Sequence, residues 1–113
     1  MTVNFYAPDI NNAGVFYTDS NGLEMQKRVL NYRPTWDLTL KSGGLNITAN
    51  YYPVQTAIAI QDEATNMQMV VMNDRSQGGS VINNGRIELM QNRRLNVDDG
   101  RGVGEALNEH NAE

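Results

Sequence analysis

Two Asn-Gly pairs limit the folds open to this chain. Asn21-Gly22 follows Val15-Phe16-Tyr17-Thr18 and Asp19-Ser20, and Asn84-Gly85 lies between Gly79-Ser80-Val81-Ile82 and Arg86-Ile87-Glu88-Leu89-Met90. A two-residue type I′ turn needs positive φ at both central positions. Asn and Gly adopt it at low cost, and the turn's twist matches that of paired antiparallel strands. Each pair therefore predicts a hairpin. After the first pair, Met25, Lys27, Val29 and Asn31 alternate with Gln26, Arg28 and Leu30, the period of a strand although neither face is purely apolar.

The remaining segments carry the same pattern. Leu45 to Ile60 holds Ile47, Tyr51, Val54, Ala57, Ile58 and Ile60, and Pro53 within it marks a sheet edge or a bulge. Met67 to Met72 follows the polar connector Asp62-Glu63-Ala64-Thr65-Asn66, which predicts a third hairpin. Arg33-Pro34-Thr35-Trp36 opens a strand over Asp37-Leu38-Thr39-Leu40, closed by Lys41-Ser42-Gly43-Gly44. Glu105-Ala106-Leu107-Asn108-Glu109 alone suits a helix, and a short one. No repeat or linker divides the chain, and 113 residues bury one modest core. The expected fold is a single all-β domain over residues 1–113, an antiparallel β-sandwich or open sheet of roughly six to eight hairpin-connected strands.

Charge and composition remove several function classes. A net charge of −4, with Arg93-Arg94 a basic pair too small to track a phosphate backbone, argues against a nucleic-acid partner. No apolar run approaches a membrane span, so no membrane partner is expected. Met1-Thr2-Val3-Asn4 lacks the basic and apolar regions of a signal peptide. Cysteine is absent, which excludes disulfides. Asn46-Ile47-Thr48 is an N-glycosylation acceptor, which makes Asn46 a candidate modification site and a weak pointer to a secretory location.

Side chains that carry chemistry are few. A zinc site needs three or four His, Cys or acidic ligands, and the one histidine, His110, sits in a polar tail. No metal set, no cofactor of the chain's own and no Ser-His-Asp system is expected, hence no catalytic residue. Asp98 and Asp99 are adjacent, so on extended backbone they point apart and make a poor acid-base pair; side chains bonding the backbone of a tight loop suit them better. Gly100, Gly102 and Gly104 match no phosphate-binding spacing, and acids flank them. A backbone that closely approaches a ligand or a neighbouring chain fits this loop better. Trp36, Tyr51 and Tyr52 invite comparison with a sugar-stacking platform, but neighbours on a strand face opposite ways and core packing is the default for such rings. Asp74-Arg75-Ser76-Gln77-Gly78-Gly79 reads as a turn that either satisfies itself or orients the Gly-rich loop.

Several blocks, in order along nearly the whole chain, resemble one family. They are Phe16-Tyr17-Thr18-Asp19-Ser20-Asn21-Gly22, Asn31-Tyr32-Arg33-Pro34-Thr35-Trp36, Tyr51-Tyr52-Pro53-Val54, Asp74 to Gly79, and Glu88-Leu89-Met90 through to Asn108-Glu109. Together they look like the C-terminal β region of glycoside hydrolase family 38, the lysosomal-type α-mannosidases. Asn92 departs from the histidine usual before Arg93-Arg94, and Met67 to Met72 is richer in methionine. The resemblance implies a parent that is a retaining, zinc-dependent hydrolase of mannose on N-glycans in a lysosomal or secretory lumen. It places the nucleophile and zinc ligands in regions outside this chain, so the chain would be an inactive fragment whose partners are the parent's catalytic domain and a mannose-containing glycan. It also implies that the loop from Asp98 to Gly104 reaches the mannose pocket. Arg101 would bind there by backbone carbonyl or side chain, or instead make an interdomain salt bridge, and Asp99 would shape the loop. Two other roles stay open: an independent carbohydrate-binding β-sandwich module, and an oligomerisation element with open strand edges that would self-associate.

Overall fold

The computed structural model describes residues 1–35, 45–91, 97–98, 100–102 and 104. In them lie eight strands: β1 Thr2–Tyr6, β2 Val15–Ser20, β3 Glu24–Val29, β4 Tyr52–Val54, β5 Ala57–Asp62, β6 Met67–Met72, β7 Gln77–Asn83 and β8 Arg86–Met90. One helical turn, α1, covers Leu45–Thr48. The strands form two antiparallel four-stranded sheets, ordered β1-β8-β7-β4 and β3-β2-β5-β6. They pack face to face, which makes the fold a sandwich rather than an open sheet.

The three expected hairpins are present, but they are held in different ways. Between β2 and β3, Asn21 and Gly22 have φ of 51° and 73°, and the Leu23 N–H donates to the Ser20 carbonyl at 3.0 Å. That is the local turn chemistry the sequence predicts. The β5–β6 hairpin closes at the Asp62–Met67 pair, where Asp62 Oδ1 accepts from the Ala64 and Thr65 N–H groups at 2.9 and 3.3 Å. Between β7 and β8, Gly85 takes a positive φ of 68° and Asn84 does not, so the type I′ expectation fails there. Distant chain fixes this turn instead. The Gly85 N–H donates to Asn12 Oδ1 at 2.8 Å, and its carbonyl accepts from the Ala7 N–H at 2.8 Å.

Three further differences have local causes. The run from Leu45 to Ile60 is not one strand: α1 precedes β4, and the Ile47 and Thr48 carbonyls accept from the Asn50 and Tyr51 N–H groups. Pro53 does lie on an edge strand, β4, where its missing N–H costs little. Patterning missed β1 altogether. Its five residues are all exposed and it joins the sheet only by pairing with β8, a contact between opposite ends of the chain. The strand expected over Asp37–Leu40 and the helix expected over Glu105–Glu109 lie outside the described residues.

Inward-facing side chains of both sheets make the core: Phe16 from β2, Ile58 and Ile60 from β5, Val54 from β4, Val81 from β7, and Ile87 and Leu89 from β8. Burying each contributes roughly 1.5–3 kcal/mol. Phe16 meets Tyr52 edge-to-face, centroids 5.7 Å apart. One carboxylate, 5% exposed, ties the layers together: Asp19 Oδ1 accepts from the Gln55, Thr56 and Ala57 N–H groups at 2.8, 2.9 and 3.2 Å, and Oδ2 from Gly22 at 2.7 Å.

Candidate functional site

Asp98, Gly100, Arg101, Gly102 and Gly104 are the described residues from 98 to 104, and all are exposed. Asp98 Oδ1 accepts from the Gly100 N–H at 3.0 Å, and Gly100 has φ of 69°. The short side chain thus folds back on the backbone and lets a glycine turn left-handed, the role expected of an Asx turn. A Cβ added at Gly100, Gly102 or Gly104 would meet nothing within 4 Å. At these three positions the loop stands clear of the sandwich, with its backbone open to a second body. Asp99, Val103, Arg93 and Arg94 lie outside the described residues, as do Trp36 and His110.

The Asp74–Arg75 turn satisfies itself. Arg75 donates to both Asp74 oxygens, at 3.1 and 2.7 Å, and each side chain is more than half exposed. Such a pair contributes little to stability. It borders a cleft of about 530 Å³ lined by Phe5, Val71, Met72, Gln77 and Leu89 among others. No described residue of the Asp98–Gly104 loop lines it.

Tyr51 and Tyr52 face opposite ways, as alternation demands. Tyr52 is buried in the core. Tyr51 lies on the outer face of the first sheet beside Gly78 and Met90, and its hydroxyl donates to Glu88, whose other oxygen accepts from Arg86 Nη2 at 3.5 Å. Burial, followed by the Glu88 carboxylate, pushes the Tyr51 hydroxyl well above its ordinary range. Asn46 falls in the helical turn, next to exposed Ile47 and Thr48, rather than in a strand.

Two groupings escaped patterning. The Tyr51–Glu88–Arg86 set depends on a contact between residues 51 and 88 that no local motif announces. The other is a stack of two arginines on one ring: the Arg28 and Arg33 guanidinium carbons lie 4.5 and 4.8 Å from the Tyr52 centroid. A trace of it was visible, because Arg28 pairs with the inward-facing Phe16 and so shares its phase. No group of three or more His, Cys, Asp or Glu able to hold a metal occurs among the described residues. Zinc therefore has no fit among the described residues of this chain.

Comparison with known proteins bears on the loop and the sandwich together. The family model for the C-terminal domain of family 38 glycosyl hydrolases matches residues 4–101. A lysosomal α-mannosidase of Felis catus is 55% identical over 94 residues, 83% of this chain and 9% of that protein. The lysosomal α-mannosidase of Homo sapiens is 54% identical over 97 residues, 86% of this chain and 9% of that protein. An α-mannosidase of Arabidopsis thaliana is 47% identical over 96 residues, 85% of this chain and again 9% of the relative. The chain thus spans about a tenth of the length of these relatives. With two four-stranded sheets and a match that runs from Asn4 in β1 to Arg101 in the glycine loop, the chain belongs to the family 38 glycosyl hydrolase C-terminal domain.

Proposed function

We propose that this chain is a non-catalytic β domain that completes the active site of a retaining, zinc-dependent α-mannosidase. In this reading the catalytic domain of the same parent polypeptide supplies the nucleophile and zinc, and the substrate is a mannose-bearing N-glycan in a lysosomal or secretory lumen. The sandwich acts as the rigid base and the Asp98–Gly104 loop as the reaching element. Arg101 meets either the bound mannose or a carboxylate of the catalytic domain, and Asp99 shapes the turn that presents it.

The observation that carries this reading is the loop's stance. Its glycines have open space where side chains would be, in a chain whose family match extends to Arg101. A rigid scaffold with a projecting loop is the usual way to bring a residue to a site built elsewhere. The competing reading, a self-sufficient carbohydrate-binding module, loses its best rings, because Tyr52 is in the core and Tyr51 is tied to Glu88.

The test is complementation. A parent mannosidase lacking the segment equivalent to residues 4–101 is mixed with this chain and assayed on an aryl α-mannoside. Expected are no turnover by this chain alone with zinc present, restored turnover in the mixture, and a kcat/KM about tenfold lower with Arg101→Ala. Turnover by the chain alone, or indifference to Arg101, would overturn the proposal. NMR titration with mannose oligosaccharides checks the module reading, for which saturable shifts around Tyr51 or Trp36 are the signature.

A further inference from the structure

We infer that the side of the sandwich between β1 and β6 is a docking groove for an extended strand, apolar at alternate residues, supplied by another part of the same parent polypeptide. The inference rests on the reading that this chain is one domain of a longer protein. It uses none of the loop residues assigned to the active site.

The two sides of the sandwich differ. At the β3 and β4 side the chain ties its own layers together. Arg28 and Arg33 lie over the Tyr52 ring. Asn50 Oδ1 accepts from the Asn31 N–H, and Asn31 Oδ1 from Asn50 Nδ2, both at 2.8 Å. At the β1 and β6 side the inner faces stay accessible. Val3 and Phe5 pair with Leu89 and Ile87 of the core, and Met69 and Val71 with Ile60 and Ile58, so these side chains share the inward phase, as does Met67. Yet Val3, Phe5 and Met67 are 38%, 36% and 36% exposed, whereas Ile58, Ile60 and Ile87 on the inner strands are fully buried. Between the layers runs a cleft of about 530 Å³, with Phe5 and Leu89 on one sheet and Val71 and Met72 on the other.

Edge chemistry points the same way. Among the described strands, β1, β4, β3 and β6 end the two sheets. Strand edges that stay unpaired tend to carry charges or proline, which block the addition of another strand. β3 has Glu24, Lys27 and Arg28, and β4 has Pro53 at its centre. β1 reads Thr-Val-Asn-Phe-Tyr and β6 Met-Gln-Met-Val-Val-Met, with neither a charge nor a proline in them. The occupant must extend a backbone ladder and fill an apolar slot, and an extended strand does both at once. Five or six residues, roughly 17–20 Å, match the length of these edges.

The source of that strand follows from length. The stretch shared with this chain is 9% of each of the mannosidases it matches. A strand tethered in the same polypeptide acts at an effective concentration in roughly the millimolar range. That fills a short groove which a dilute second copy would leave open.

The experiment is photo-cross-linking in the full parent polypeptide, with p-benzoylphenylalanine at Phe5, a near-isosteric change on an exposed side chain. A cross-link to a segment of the same polypeptide outside residues 1–113, alternating apolar and polar, is expected. Hydrogen exchange of the unaltered parent gives a second readout, with β1 and β6 amides exchanging at least about tenfold more slowly than those of edge strand β3. Val71→Lys, in the inward phase, should raise β1 and β6 exchange about tenfold, and outward-facing Val70→Lys should not. A cross-link within residues 1–113, to a second copy, or to nothing overturns the groove, as does β1 and β6 exchange as fast as that of β3. Turnover of an aryl α-mannoside, assayed in parallel, keeps the two readings apart. A parent that shows the cross-link without turnover upholds the groove and fails the mannosidase reading, and turnover without the cross-link does the reverse.

Discussion

Asp19 gives the sharpest test of how this sandwich is held together. Its four backbone donors come from two separate stretches of the chain: Gly22 in the β2–β3 turn, and Gln55, Thr56 and Ala57 where β4 passes to β5. Replacing it with alanine removes the acceptor for all four. Gly22 and Thr56 are exposed, so water replaces the carboxylate there at small cost. Gln55 and Ala57 are half-buried, and each N–H left without its charged acceptor costs about 1–3 kcal/mol. Asp19→Ala should therefore lose about 3 kcal/mol, a large part of the 5–15 kcal/mol typical of a domain. Asp19→Asn keeps one acceptor oxygen and should lose about half as much.

The pH dependence sharpens this further. Burial alone would raise the Asp19 carboxyl, but the N–H groups of Thr56, Ala57, Gly22 and Gln55 outweigh it and hold the group well below the ordinary carboxylate range. A folded value below the unfolded one, about 3.9, means the contribution is fully present above that pH and fades as pH falls toward the folded value. Urea denaturation followed by far-UV circular dichroism should show a wild-type advantage over Asp19→Asn that is constant from about pH 7 to 5 and narrows below about pH 4. A loss under about 1 kcal/mol for Asp19→Ala at pH 7, or an unchanged gap between wild type and Asp19→Asn at pH 3, would refute the reasoning.

Three other outcomes follow from named contacts. Gly85→Ala should cost about 3 kcal/mol in urea denaturation, because its Cβ would sit 2.5 Å from the Ala7 carbonyl oxygen at a φ of 68°. Gly102→Ala, where a Cβ meets nothing, should leave stability within about 0.5 kcal/mol, and a larger loss would mean the loop packs on the sandwich. Tyr51 is held neutral well above the ordinary tyrosine range by burial and by Glu88. A raised folded value gives stability that is complete below about pH 10 and lost as pH climbs past it. Tyr51 should therefore stay protonated in an absorbance titration at about pH 11, and Tyr51→Phe should remove a late ionisation step.

Hairpins were legible wherever the decisive residues sit next to each other. Asn21-Gly22 needs nothing from the rest of the chain to turn left-handed, and the Asp62 side chain closes its own connector. The resemblance carried by the blocks from Phe16 to Glu109 was legible too, because those blocks are contiguous runs that can be read without a fold. The run from Leu45 to Ile60 was misread for the converse reason. Its apolar residues suit a strand, yet an i→i+3 hydrogen bond from Asn50 back to Ile47 follows a helical turn that precedes β4.

What the order of residues alone could establish was the all-β class, the three hairpins and the family, since each rests on period-two alternation, turn chemistry or contiguous identity; that Pro53 marks an edge rather than a bulge came from the sheet order. Tertiary structure decided the rest. It paired β1 with β8 across the length of the chain, clamped Gly85 with Ala7 and Asn12, gathered four N–H groups onto Asp19, and laid Arg28 and Arg33 over Tyr52. Each of these joins residues far apart in sequence, whose meeting depends on how two sheets stack, and no local pattern encodes that distance.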